Sequence, residues 1–206
     1  VASPRWLGDD VKLLEKTSGV YLFYYGPRLW MCGEVEPLKS LQDPEDQKKI
    51  INRIISEYPH KRLTPDDELY RLRVNPKHSS DPIEFDSPPN QFLGKGRLDS
   101  AELPVLYCSQ DIEGCIHECR VTLEDNLFLA TLTPNRPLTL LDLTELLTEK
   151  VTEFESLDMA IHMLFFAAEH SYEISRSIAL SVKNAGYDGL IYPSYFSQAR
   201  SGAIPF

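Results

Sequence analysis

What the sequence lacks narrows its chemistry first. No apolar stretch approaches the roughly 20 residues that a bilayer crossing needs, and runs such as Met163–Ala168 are far shorter. The opening VASPRWLGDD has no basic segment leading into an apolar core, the form a secretory signal takes. A cytoplasmic protein without a membrane partner is the default expectation. Cysteine is scarce: Cys32, Cys108, Cys115 and Cys119 are the only four in 206 residues, too few for a disulfide framework, so reduced thiols are expected. Neither G-x-x-x-x-G-K-[ST] nor G-x-G-x-x-G occurs, which excludes a P-loop and a dinucleotide-binding Rossmann turn, and the missing G-x-S-x-G disfavours a hydrolase triad. Cations are outnumbered, 21 Lys and Arg against 31 Asp and Glu, for a net charge of −10. Nucleic-acid binding starts from a basic face that releases phosphate counterions, so no direct nucleic-acid role is expected.

What is present is ordinary globular material. Hydrophobic residues make up 42% and charged residues 25%, enough apolar material to offset the entropy of ordering the chain. Gly19 to Tyr25, GVYLFYY, reads as a strand. Over DPEDQKKIINRIISEY a helix is expected, with Asp43 as N-cap, Pro44 at the first helical position, and Glu45 and Asp46 at the positive end of the dipole. Its Ile50, Ile51, Ile54, Ile55 and Tyr58 form a stripe that must bury against the rest of the molecule. Proline and charge in YPHKRLTPDD then mark a boundary near residues 64–67, dividing an N-terminal strand and helix extension, 1–66, from a second unit, 67–206.

In that second unit ELYRLRV, PVLYCS, LFLATLT, LTLLDLT and DGLIYPS read as strands. DIEGCIHECRVTL reads as a helix capped by Asp111, and ESLDMAIHMLFFAAEHSYEISRSIALSVKNAG as one broken or two consecutive helices ending at Gly186. Strands with interspersed helices, but no regular βαβα alternation, point to an α+β class with a mixed sheet. The proline-rich excursion NPKHSSDPIEFDSPPNQFLGKG is too long for a plain connector and is of the kind that binds.

Candidate chemistry gathers near the strand ends. From Arg71 to Arg97, five cations (Arg71, Arg73, Lys77, Lys95, Arg97) face three carboxylates (Asp81, Glu84, Asp86), a positive island able to hold a small anion. In YRLRV the period of two puts Arg71 and Arg73 on one face and Tyr70, Leu72 and Val74 on the other; solvated arginines and a phosphate clamp both fit. In GKGR, Gly94 and Gly96 free the backbone to turn N–H groups toward an anion, with Lys95 and Arg97 adding charge, although a plain tight turn fits as well. On the helix after LYCS, Ile112, Cys115, Ile116 and Cys119 form a stripe, so the thiols read as core rather than as nucleophiles. No C-x-x-C pair occurs, so no metal site is expected. Glu118 falls at the margin of that stripe, where a carboxylate projects over a strand end into a cleft. Ser194 follows Pro193 at the end of the last strand, near Tyr192, Tyr195 and Arg200, and by residue type alone is a turn former.

Taken in order and spacing, YRLR, GKGRLDS…LPVLYCSQDIEGCIHECRV, LLDLT and YDGLIYPS resemble the RES domain family, from about Glu68 onward. The resemblance implies an ADP-ribosyltransferase-like core and a toxin of a toxin–antitoxin pair that degrades NAD+ by phosphorolysis or hydrolysis of the nicotinamide–ribose bond. Carried over by position, it implies that Arg71 is the first family arginine, Arg97 the arginine of the glycine turn, Tyr107 the tyrosine of the following strand, Glu118 the family glutamate and Ser194 the family serine. The chain departs from the family with Leu98 where an aromatic residue is usual and with Asp99 where asparagine is frequent.

Catalytic roles then fall to Glu118, Arg71 and Ser194, and substrate contacts to Arg97, Tyr107, Gly96 and Lys95. NAD+ is a substrate on this reading, with inorganic phosphate as a second one in the phosphorolytic case, and no bound cofactor or metal is called for. A protein antitoxin or regulator is the partner implied, and self-association stays open. A mono-ADP-ribosyltransferase and a non-catalytic module that binds NAD or ADP-ribose are the rival readings.

Overall fold

The computed structural model describes the backbone of residues 21–25 and 28–32, together with residues 43–119, 121–151, 155–166 and 171–193. Ser194, Tyr195 and Arg200 therefore lie outside the described residues. Tyr21–Tyr25 (β1) and Arg28–Cys32 (β2) pair antiparallel, with Tyr25 opposite Arg28. The first strand was expected; the second, RLWMC, is too short to show a period of its own.

Helix α1 spans Pro44–Glu57, and the Asp43 carboxylate accepts from the amides of Glu45 (2.9 Å) and Asp46 (3.2 Å). Its Ile50, Ile51 and Ile54 are buried, as the stripe requires. Just beyond it the buried Tyr58 donates its hydroxyl to the Asp158 carboxylate (2.5 Å). Burial, then that hydrogen bond, push the Tyr58 pKa upward.

The next element is a correction. His60–Leu63 (β3), where no strand was expected just before the boundary at 64–67, is a strand, pairing antiparallel with Leu138–Asp142 (β6) so that Leu63 lies opposite Leu138. As an edge strand it exposes three side chains and buries only Leu63, so pairing with a neighbour decides its conformation while its own composition does not. Gly189–Ile191 (β7) pairs parallel on the far side of β6, which gives the order β3-β6-β7. Parallel neighbours require a crossover. Here the connection carries Leu157–Phe166 (α3) and Tyr172–Asn184 (α4), both within the span read as helical.

One apolar cluster binds these elements together. It joins Ile50, Ile51, Ile54 and Tyr58 to Leu141 and Leu143, to Leu157, Ile161, Leu164 and Phe165 of α3, to Ile178, Ala179 and Val182 of α4, and to Leu98. Residues 44–63 thus share both core and sheet with residues beyond 67.

Leu69–Val74 (β4) and Leu127–Leu132 (β5) make a second antiparallel ladder, with Arg71 opposite Ala130. Against β4 lies the short helix Ile112–Glu118 (α2), whose cap is the expected Asp111. Helices with parallel and antiparallel pairing make the chain α+β with mixed pairing. Two further expectations need correction. PVLYCS is not a ladder strand: Ser109 alone bridges to Tyr70 (2.7 and 2.9 Å), Pro104 has no N–H to give, and the Tyr107 carbonyl is taken by Arg71. The stripe on α2 is mostly uncovered, since Cys115 is buried while Ile112 is 39% exposed and Cys119 is exposed. A seven-residue helix makes two turns and meets its neighbour over one of them. No described helix is long and apolar enough to cross a membrane.

Candidate functional site

Arg71 faces inward from β4 and is only 5% exposed. Its Nη1 donates to the Tyr107 carbonyl (2.6 Å) and its Nη2 to that of Asp86 (2.8 Å), while Nε is buried with no hydrogen-bond partner. Arg73, on the same face, donates Nε to the Glu84 carbonyl (2.6 Å) and Nη2 to that of Asp86 (3.2 Å). The arginine face of the strand is therefore not a solvated one. It ties the 82–86 segment, which contains a short 3-10 helix at Pro82–Phe85, to β4. Burial, then the charge of Arg73, draw the Arg71 pKa down.

The GKGR turn is held from both sides. Gly94 has φ of +78°, a region that glycine enters without penalty, and its N–H donates to the buried Asp99 carboxylate (2.6 Å). Asp99 also accepts from the Tyr107 hydroxyl (3.0 Å), which itself accepts from the amides of Leu98 (2.8 Å) and Asp99 (3.2 Å). A Cβ on Gly96 would overlap Asp99 Oδ1 and sit 2.7 Å from the Tyr107 hydroxyl, so only glycine allows this approach. On the other side, Arg176 of α4 donates Nη2 to the carbonyls of Gly94 and Gly96 (2.7 Å each), and Ser175 donates to that of Arg97 (2.6 Å). Leu98, where the family usually has an aromatic side chain, is 3% exposed and belongs to the core.

This arrangement points the Arg97 side chain at aromatic rings. Its guanidinium lies 5.2 Å from the centroid of Tyr172 and 5.9 Å from that of Phe165, with the Leu164 carbonyl at 3.5 Å. Phe165 stacks on Tyr192 at 5.1 Å and 19°. Glu118, at the last position of α2, is exposed. Burial, then the Glu118 carboxylate, push the Tyr192 hydroxyl up to about 12, while Arg97 pulls it the other way. Burial pushes the Cys119 thiol upward, and the charge of Arg73 pulls it the other way.

Of the other residues singled out from sequence, Tyr107 is half-buried, with its hydroxyl committed to the turn. Lys95 is exposed and reaches outward over the Phe92 ring at 5.1 Å. Cys108 and Cys115 have thiols pushed upward by burial, which disfavours a thiolate. Among the described residues no group of three or more His, Cys, Asp or Glu is placed to hold a metal ion. Two hollows lie elsewhere. One of about 620 Å³ is lined by Lys77, His78, Ser79, Ser80, Asp81 and Pro82, and one of about 260 Å³ adds Phe85, Ala130 and Leu132 to that loop. Neither brings a guanidinium, a carboxylate and a ring together.

Sequence reasoning passed over Phe165, Tyr172, Ser175 and Arg176, and noted Asp99 only as a departure from the family pattern. The one available signal was YEISR, where Tyr172 and Arg176 stand four apart, on neighbouring turns of one helix face.

No curated protein matches the chain, and no solved structure matches it. A family model described as the RES domain matches residues 68–204. That span covers more than half of the sequence and takes in Arg71, the GKGR turn, Tyr107, Glu118 and Ser194. The chain belongs to the RES domain family.

Proposed function

We propose that this chain consumes NAD+ by cleaving the bond between nicotinamide and ribose, with phosphate or water as acceptor. Family membership is consistent with a NAD-related toxin. The observation that supports the reading most is that the Arg97 guanidinium lies 5.2 Å from the Tyr172 ring and 5.9 Å from the Phe165 ring, which itself stacks on Tyr192.

The chemistry needs those groups together. As the C1′–N1 bond breaks, its electron pair leaves with nicotinamide, which becomes neutral, and positive charge develops on the ribose. A carboxylate at Glu118 stabilises that charge, and it is present only in the transition state, so the contact accelerates the step. Arg97 answers the pyrophosphate, and its backing by aromatic faces keeps it in place. Arg71 has three N–H groups beyond those given to the Tyr107 and Asp86 carbonyls, and adds charge at the base of the site. The acceptor oxygen then bonds to C1′; water gives ADP-ribose and a released proton, whereas phosphate gives ADP-ribose 1″-phosphate. Ser194 is assigned to hydrogen bonding with ribose or with the nicotinamide amide. An ADP-ribosyltransferase-like core, a protein antitoxin and a cytoplasmic setting belong to the same reading.

The test is to incubate the pure protein with NAD+, with and without inorganic phosphate, and to identify products by mass spectrometry. Free nicotinamide with either ADP-ribose product supports the reading. Intact NAD+, or ADP-ribose found on protein alone, contradicts it.

A further inference from the structure

We propose that Arg176 is a positioning residue of this site: it holds the GKGR turn so that Arg97 faces the aromatic rings and the anionic end of the substrate. For its activity readout the inference rests on the NAD+ reading; for its structural readout it does not.

The geometry begins on α4. Arg176 Nη2 reaches the carbonyls of Gly94 and Gly96 at 2.7 Å each, and Nε reaches Gly96 again at 3.1 Å. Its neighbour Ser175, fully buried, takes the Arg97 carbonyl at 2.6 Å. One turn of helix thereby holds three carbonyls within four residues of the glycine turn. The amides of Gly94, Leu98 and Asp99 are held on the opposite side by Asp99 and Tyr107. A backbone fixed on both sides fixes the direction in which the Arg97 side chain leaves the turn, and narrows its rotamers.

Tyr172 adds a second constraint. It lies under both guanidinium groups, at 5.2 Å from Arg97 and 5.5 Å from Arg176. Two like charges over one ring repel, and the pair is stable because Arg176 is bound to carbonyl oxygens. The result is a doubly cationic corner, with Arg176 bound to the Gly94 and Gly96 carbonyls and Arg97 reaching the Leu164 carbonyl at 3.5 Å, and two guanidinium groups suit a diphosphate more than a single carboxylate. Lysine cannot replace that fork, since an ammonium is a point charge and does not span two carbonyls in a fixed plane.

The experiment compares Arg176→Lys and Arg176→Gln with the wild type, alone and combined with Arg97→Ala. In either single variant the KM for NAD+ is expected to rise about tenfold with kcat within about twofold, because the lost contact binds ground and transition states alike. Added to Arg97→Ala, Arg176→Gln should change KM by less than about twofold, since both act through one side chain. A wild-type KM in Arg176→Gln, or effects that multiply in full, would overturn the proposal. Independently of turnover, amide hydrogen exchange at Gly94 and Leu98 should quicken about tenfold or more in Arg176→Gln while Leu141 is unchanged. Should Arg176→Gln also loosen Leu141, Arg176→Lys carries the comparison. Unchanged protection at Gly94 and Leu98 sinks the positioning role, whereas absence of NAD+ loss by the wild type sinks the NAD+ reading alone.

Discussion

Glu118 sits at the end of a short helix with its side chain exposed, so its replacement leaves no cavity in the core. Glu118→Gln should therefore melt as the wild type does while NAD+ turnover falls by about 10²–10³, the usual order for one lost transition-state stabiliser. Full turnover in a folded variant would remove Glu118 from the chemistry. At this scale the sequence was informative where a residue type is costly to keep: an arginine directly after a glycine turn, a glutamate beside an apolar stripe. It was silent on Arg176, because an arginine between Ile174 and Ile178 looks like the solvent-facing member of an amphipathic helix. Only coordinates reveal that its fork meets backbone carbonyls far away in the chain. Asp99 was equally hidden, since its burial follows from a turn that it closes itself.

Elements tell a different story, in which hydrogen bonds across chain segments decide what periodicity cannot. Arg71 links β4 to the 82–86 segment and to Tyr107. Arg71→Ala should thus cost about 1.5–3 kcal/mol in urea unfolding, the worth of hydrogen bonds to a charged group, in addition to any effect on NAD+. Equal stability would mean that the guanidinium is not structural. At the other sheet, Asp188 precedes β7 and joins it to β6, accepting from Arg136 (2.6 Å) and the Thr139 amide (2.8 Å). Those contacts, Arg136 first, hold its pKa below the ordinary carboxylate value. A carboxyl whose folded pKa is depressed contributes stability that is present above its unfolded pKa, about 3.9, and is lost as pH falls through the folded value. Acid unfolding of the wild type should therefore steepen below about pH 4, and Asp188→Asn should flatten that limb; superimposable profiles would contradict it. The strands LFLATLT and LTLLDLT could be read directly, as could the two helices that follow. HKRL and PVLYCS could not, because the first is a strand only through β6, and the second has its carbonyl taken by a side chain.

For the whole molecule, the family match starts at 68, yet the core starts earlier. Removing residues 1–66 would strip Ile50, Ile51, Ile54 and Tyr58 from the cluster and β3 from the sheet edge. Each buried aliphatic side chain is worth about 1.5–3 kcal/mol, and a domain holds only about 5–15 kcal/mol in total. A fragment of residues 67–206 is accordingly expected to give no cooperative thermal transition, and a fragment that melts cooperatively would show that α1 and β3 are dispensable. The sequence hinted at this when the stripe on α1 demanded a partner.

The central claim is that Glu118, Arg97 and Arg71, drawn from separate parts of one chain, serve a single dinucleotide site. A crystal structure of the protein soaked with ADP-ribose tests it most directly. The account predicts the pyrophosphate against Arg97 and the ribose anomeric carbon beside Glu118. ADP-ribose bound in the hollow lined by Lys77 to Pro82, with Glu118 and Arg97 untouched, would contradict it.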